Sequence, residues 1–152
     1  MQARMNHPIR LVPDSLKALL ALSETARKGG LPPKTILLAH VRASQINGCS
    51  FCVDMHSREL KEAGESDKRI WSIAAWRETP WYDDAERAAL ALTEALTRTA
   101  DRADPVPDDI WNEARKHYSE RALADLILQI AIINSWNRIN IAVREPAGSW
   151  TG

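Results

Sequence analysis

Two cysteines and one histidine hold the reactive chemistry this sequence can offer. Cys49-Ser50-Phe51-Cys52 is a C-x-x-C pair, it contains both cysteines of the chain, and His56 follows four residues after Cys52. If the pair opens a helix, Cys49 and Cys52 share a face and His56 stands one turn further along it. That arrangement suits thiol chemistry. The thiolate is the nucleophile, and a free thiol with a pKa of about 8.5 is mostly protonated at neutral pH. Unpaired N–H groups at a helix start favour a nearby anion by about 0.3–1 kcal/mol. An imidazole on the same face takes the thiol proton or stabilises the thiolate. A second cysteine lets a sulfenic acid condense to a disulfide before it oxidises further, and an external dithiol can reopen that disulfide.

Other readings of the same residues stand beside this one. Two buried small residues next to a hydrogen-bonded core histidine would have the same spacing. A closed zinc site would need a fourth ligand. There is no second C-x-x-C, and His40 would reach the pair only if two helices cross there, so no metal is expected. A thioredoxin-like fold would need the pair in a βαβ setting, and no segment alternates with period two for long enough to make a strand.

The elements that must position the pair are helical. Asp14, after Pro13, is placed to cap a helix with Leu16, Leu19, Leu20 and Leu22 on one face, closed by Gly29-Gly30. Pro32-Pro33 opens a second helix, with Ile36, Leu37, His40 and Val41, that loosens at Asn47-Gly48. A third runs from Cys49–Ser50 to Gly64, and Ser66 caps a short fourth with Ile70, Ile73 and Ala74. The stretch from Arg77 to Tyr82 contains Pro80 and reads as a loop. Asp83-Asp84 start a strong helix through residue 102, broken by Asp104-Pro105-Val106-Pro107. A short helix follows from Asp108 to Tyr118, and Ser119 caps a long one ending before Pro146. The expected fold is all-α, with about seven helices.

Length and composition fit that picture. The 152 residues are one domain's worth, expected to span 1–152 with its core over about 10–145. Twenty basic and 20 acidic residues cancel, which argues against general nucleic-acid or anionic-membrane binding. The most apolar run, Leu126 to Ile133, is far shorter than the roughly 20 residues of a membrane span, and Gln129 interrupts it. The amino-terminal stretch lacks the apolar segment of a signal peptide. A cytoplasmic protein is expected. The last helix carries Leu123, Leu126, Ile127, Ile130, Ile133 and Ile141, a stripe wide enough to suggest oligomerisation or a central core helix. Trp71, Trp76 and Trp81 are five residues apart, do not keep one helix face, and read as core or interface anchors.

Around the cysteines the sequence resembles a known family. The run Arg42-Ala43-Ser44-Gln45-Ile46-Asn47-Gly48-Cys49-Ser50-Phe51-Cys52-Val53-Asp54-Met55-His56 is similar to the signature of the carboxymuconolactone decarboxylase superfamily, on its alkylhydroperoxidase AhpD-like branch. The likeness continues through Glu86 to Thr97 and more weakly through Ile133 to Arg138. It implies an AhpD-like helical bundle assembled as a dimer, trimer or hexamer. It also implies thiol-dependent reduction of a peroxide, with electrons from a dihydrolipoyl or thioredoxin-like dithiol partner and no cofactor. By the same resemblance Cys52 is the peroxide-attacking cysteine, Cys49 the resolving one and His56 the proton-relay histidine. The family's relay glutamate, twelve positions before the first cysteine, is Leu37 here, and the prototype's histidine between the cysteines is Phe51. His40, one turn after Leu37, and Glu86, from another helix, are the candidate replacements. Two alternatives remain: a non-catalytic redox-responsive oligomer, and a lactone or other small-molecule enzyme that would not need the cysteines.

Overall fold

Proline, glycine and capping side chains divide the chain where the sequence marks them. The computed structural model describes residues 2–100 and 102–149. Among these the chain forms eight α-helices and one 3-10 helix, with no strand. They are α1 (Pro8–Leu11), α2 (Pro13–Thr25), α3 (Pro33–Asn47), α4 (Ser50–Glu62) and α5 (Asp67–Ser72). After them come the 3-10 helix (Ile73–Glu78), α6 (Asp84–Thr97), α7 (Asp108–His117) and α8 (Glu120–Val143). Pro33 supplies the first turn of α3, where its missing N–H leaves nothing unpaired. Gly48 ends that helix in the left-handed region at φ +75°, a conformation that costs glycine little. At α6, Asp83 accepts from the Glu86 N–H at 2.8 Å while the Glu86 carboxylate accepts from the Asp83 N–H at 3.0 Å, a reciprocal cap. Ser119 caps α8 by accepting from the Ala122 N–H.

α2 ends at Thr25, short of Gly29-Gly30, and Ser66 sits at the α5 cap position without a side-chain hydrogen bond. Three further boundaries differ from the sequence reading for a local reason. Asp14 does not cap α2. The chain has already turned helical at Pro8, capped by His7, and Val12 occupies the α2 cap position while Asp14 lies in the first turn. The helix begun at Asp83-Asp84 stops at Thr97, because past Leu96 it has no apolar side chain left to bury; residues 98–100 are exposed. The stretch from Arg77 to Tyr82 starts as the end of the 3-10 helix, held by the buried Trp76, and becomes irregular only at Thr79.

The core surrounds α3. On one side Ile36 and Ala39 pack with Leu92 of α6 and with Leu123, Leu126 and Ile130 of α8. On another, Leu38 and Val41 pack with Leu60, Ile73, Trp76, Tyr82 and Leu90. A smaller group joins Ala43, Cys49, Cys52 and Ile133. Each fully buried Leu or Ile in these groups contributes about 1.5–3 kcal/mol. α8 is long and apolar enough to cross a membrane by length and composition, but half of its apolar window is buried in this bundle, where it is a core helix. Its wide stripe is thus largely covered within the chain, leaving Leu128 and Ile141 exposed. The tryptophans divide: Trp76 is buried and Trp71 is 78% exposed.

Gly29 fixes the α2–α3 linker to α8. Its N–H donates to the Asp125 carboxylate at 2.5 Å. A β-carbon there would lie 2.6 Å from that carboxylate and 2.7 Å from the Arg121 carbonyl. Only glycine permits so close an approach.

Candidate active site

The turn at Gly48 sets the geometry of the cysteines. It leaves Cys49 in extended backbone as the cap of α4, where its sulfur accepts from the Cys52 N–H at 3.3 Å. Cys52 is then in the first turn, with Cα atoms 5.4 Å apart, and the two sulfurs form a disulfide. Both residues are buried, at 2% and 1% exposure. Ala43 and Ile133 pack against them, with Phe51 and Trp136 at the edge.

A cavity of about 530 Å³ opens beside the pair. Cys52 lines it and Cys49 does not; His56, one turn along α4, lines it too, as do His40, Trp136 and Asn140. The structure therefore brings Cys49, Cys52, His56 and His40 together. The rings of His40 and His56 lie 4.7 Å apart, tilted by 57°. His56 Nδ1 is 2.6 Å from a Glu59 carboxylate oxygen, a partner one turn away on the same helix that orients the ring.

His40 is held differently. The Gln129 amide nitrogen donates to the carbonyls of Ser23 and Ala26, at 2.9 and 3.2 Å. Its oxygen is therefore the atom facing His40 Nε2, at 3.1 Å, and Nε2 carries the proton. Nδ1 of His40 is left as a buried acceptor with no partner. Burial, with the nearby charges of His56 and Arg27 adding to it, holds the His40 imidazole well below its ordinary pKa; the Gln129 hydrogen bond pulls the other way and does not offset this. A neutral imidazole whose buried Nδ1 has no hydrogen-bond partner thus lines the cavity.

Glu86 is not in this crevice. It closes the α6 cap and pairs with Arg69 at 2.5 Å, and it lines a separate hollow of about 730 Å³ with Thr35 and Tyr118. Its local partners explain the placement: a capping glutamate at the third helical position is already committed. Leu37 packs toward Leu60, Trp76 and Tyr82, so the position of the family glutamate belongs here to the apolar core. Among the described residues no group of three or more His, Cys, Asp or Glu side chains is disposed to hold a metal ion.

Four residues at the site escaped the sequence reading. Glu59 and Gln129 orient the two histidines. Asn140 donates from Nδ2 to Cys52 Sγ at 3.3 Å, and its Oδ1 is 2.8 Å from Nε2 of His7. A signal for Asn140 did exist: Asn134, Asn137 and Asn140 recur every third residue in an otherwise apolar helix, one polar strip along α8.

An all-α bundle with an oxidisable cysteine pair at the head of a helix defines a helical thiol–disulfide protein. The chain belongs to the carboxymuconolactone decarboxylase family, whose model matches residues 13–95, and within it to the AhpD-like branch. It is 37% identical over 139 residues to the uncharacterized protein YdfG of Bacillus subtilis strain 168, covering 91% of this chain and 93% of that one. The structure superposes with a TM-score of 0.89 and 36% identity on Agrobacterium tumefaciens ATU0492, covering 98% of this chain and all of that one. ATU0492 is described as a protein of unknown function and a candidate antioxidant defence protein AhpD. The debrominase Bmp8 in its apo form shares the fold, with a TM-score of 0.81 at 22% identity over 93% of this chain and 75% of its own. Family and disulfide together fit a redox role.

Proposed function

We propose that this chain is an AhpD-like thiol peroxidase and disulfide reductase. The observation that carries the reading is the buried Cys49–Cys52 disulfide at the head of α4, with Cys52 on a cavity that His40 and His56 also line. In the reduced protein the Cys52 thiol passes its proton to His56, and the thiolate attacks the terminal oxygen of a hydroperoxide. The O–O bond breaks as the S–O bond forms, and the departing alkoxide takes the proton from His56. The products are an alcohol and the Cys52 sulfenic acid. The Cys49 thiol then attacks the Cys52 sulfur; the S–S bond forms and the hydroxyl leaves as water with the Cys49 proton. A dihydrolipoyl or thioredoxin-like dithiol supplies two electrons and two protons, reopens the bond and becomes a disulfide itself.

His40 takes the place left by Leu37 in this scheme. Its neutral ring lines the cavity beside His56 and holds the hydroperoxide toward the sulfur. Glu86 has no part in it. No metal or organic cofactor enters any step. The reading places residues 1–152 as one AhpD-like unit in the cytoplasm, where dithiol reductants are available. It also carries a homo-oligomer, for which exposed Leu20, Leu22 and Trp71 supply apolar contact surface.

The test is peroxide consumption with dihydrolipoamide as donor. Cys52→Ser is expected to reduce turnover to background. Cys49→Ser is expected to consume one equivalent and stall. Equal rates in wild type and both variants would remove the assignment. Stoichiometric oxidation of the wild-type pair without cycling would favour the redox-responsive oligomer. Activity on a lactone that survives loss of both cysteines would favour the enzyme type that names the family.

A further inference from the structure

The segment before α2 reaches the sulfur chemistry through one side chain of α8. The Ile9 N–H donates to His7 Nδ1 at 3.3 Å, so Nδ1 is an acceptor and the ring proton sits on Nε2. Nε2 therefore donates across 2.8 Å to Asn140, and the atom that receives it must be the amide oxygen. The amide nitrogen is then turned to Cys52 Sγ, 3.3 Å away, here one sulfur of the disulfide and, once the pair is reduced, the sulfur that ionises. The amide's orientation is thus fixed by a backbone N–H, through the tautomer of a histidine 133 residues from Asn140 in sequence. His7 and Asn140 are both buried, at 7% and 5% exposure. The Arg4 N–H bonds the Val143 carbonyl at 2.8 Å, which ties the same strap to the end of α8.

We infer that Asn140 is a catalytic residue of the thiol site and His7 its positioning residue: the pinned amide N–H stabilises the Cys52 thiolate. The inference rests on the assignment of Cys52 as the attacking sulfur. An amide nitrogen can donate to a thiolate but offers nothing to a thiol proton, so the contact favours the ionised form. It differs from the His56 role, because Asn140 neither takes nor gives a proton. It holds the sulfur's charge once the proton has gone. His7 acts through it: without a donor on Oδ1, the amide is free to turn its oxygen toward the sulfur, and the contact changes from favourable to unfavourable.

The experiment is alkylation of the reduced full chain by iodoacetamide across pH, with each cysteine followed by mass. The charged and titratable groups facing the cavity are His7 and Arg10 from the strap, Arg27 beyond α2 and His40 from α3. His56 and Glu59 of α4 and Glu145 beyond α8 complete the set. All of these are kept in the Asn140 variants. Asn140→Leu is expected to move the Cys52 profile to higher pH and slow its alkylation at neutral pH about tenfold, the scale of one hydrogen bond to a charged group. Asn140→Asp, nearly isosteric, places an oxygen by the sulfur and is expected to slow it further. His7→Leu is expected to give a smaller change of the same sign, largely restored in His7→Gln, whose amide can donate to Asn140. Cys49, buried and off the cavity, is the internal reference, because its alkylation changes only when packing is lost. A general loss of packing would alter both thiols, whereas loss of the amide alters Cys52. A Cys52 profile in Asn140→Asp that overlays wild type, or equal changes at both cysteines, would overturn the inference. No peroxide is used, so the two claims fail separately. A shifted profile without peroxide turnover sinks the peroxidase reading alone, and turnover with an unmoved profile sinks this one alone.

Discussion

Arg42 and His40 sit two residues apart on α3 and belong to buried polar clusters built on opposite plans. Around Glu94, every strong donor is matched. The carboxylate accepts from Arg42 at 2.7 Å, from Trp76 Nε1 at 2.9 Å and from Arg77 at 2.5 Å. Burial alone would raise the Glu94 pKa, but these bonds outweigh it and hold the carboxyl below its ordinary value. Around Cys52 the groups are amides and imidazoles, and one acceptor, His40 Nδ1, has no partner. A saturated cluster clamps α3, α6 and the 3-10 helix and has no capacity for a ligand. The cluster around Cys52 lies beside a cavity and keeps one buried acceptor unpartnered, so it is not saturated in this way.

The sharpest way to break this contrast is Glu94→Ala. It strands the buried Arg42 guanidinium and the Trp76 N–H, and should cost about 3 kcal/mol of stability by urea denaturation. The thiol alkylation profile should stay as in wild type. A loss below about 1 kcal/mol would show that the clamp is not what holds α3.

Gln129→Leu tests the scaffolding of the crevice and should cost about 2 kcal/mol, because it leaves the Ser23 and Ala26 carbonyls and His40 Nε2 unpaired. It should also slow peroxide turnover, since the His40 tautomer is no longer fixed. Unchanged turnover would separate His40 from the chemistry.

The smallest effect is in pH. Both groups have folded pKa values below their unfolded ones, so in each case the unfolded chain takes up protons first as pH falls. Each therefore contributes stability at high pH that is lost on acidification. The windows differ. The His40 loss begins below its ordinary value of 6.5 and the Glu94 loss below 4.5. Melting curves recorded from about pH 8 down to about pH 3 should show two successive declines. His40→Gln should flatten the upper one and Glu94→Gln the lower. A single decline, insensitive to His40→Gln, would contradict the buried neutral imidazole.

Much of this was legible in the sequence where the signal is local. Pro33, Gly48, Asp83 and Ser119 announce helix ends because each satisfies or removes an orphan backbone group within a few residues. The same-face cluster of Cys49, Cys52 and His56 follows from helical period alone. Glu86 was legible too, and in the plainer sense: an Asp followed three residues later by Glu is a cap signature, and it outranks a distant role. What stayed hidden depends on how helices cross. His40 meets His56 only because α3 and α4 fold back on each other at Gly48. His7 meets Asn140 across 133 residues, and no spacing rule reaches that far. Asp14 misled because Pro13, one residue earlier, already occupies the first turn of α2 behind Val12, and the chain has been helical since Pro8.

Of the two cysteines, Cys52 lines the cavity and Cys49 does not. Under the proposed function, the peroxide and the dithiol would therefore reach the pair by one doorway, one after the other. That imposes an alternating, double-displacement rhythm in which each visitor excludes the next. It also decides which sulfur departs when the bond is opened: a thiol entering by that door meets Cys52, and Cys49 is released as the leaving group onto the waiting N–H at the start of its helix.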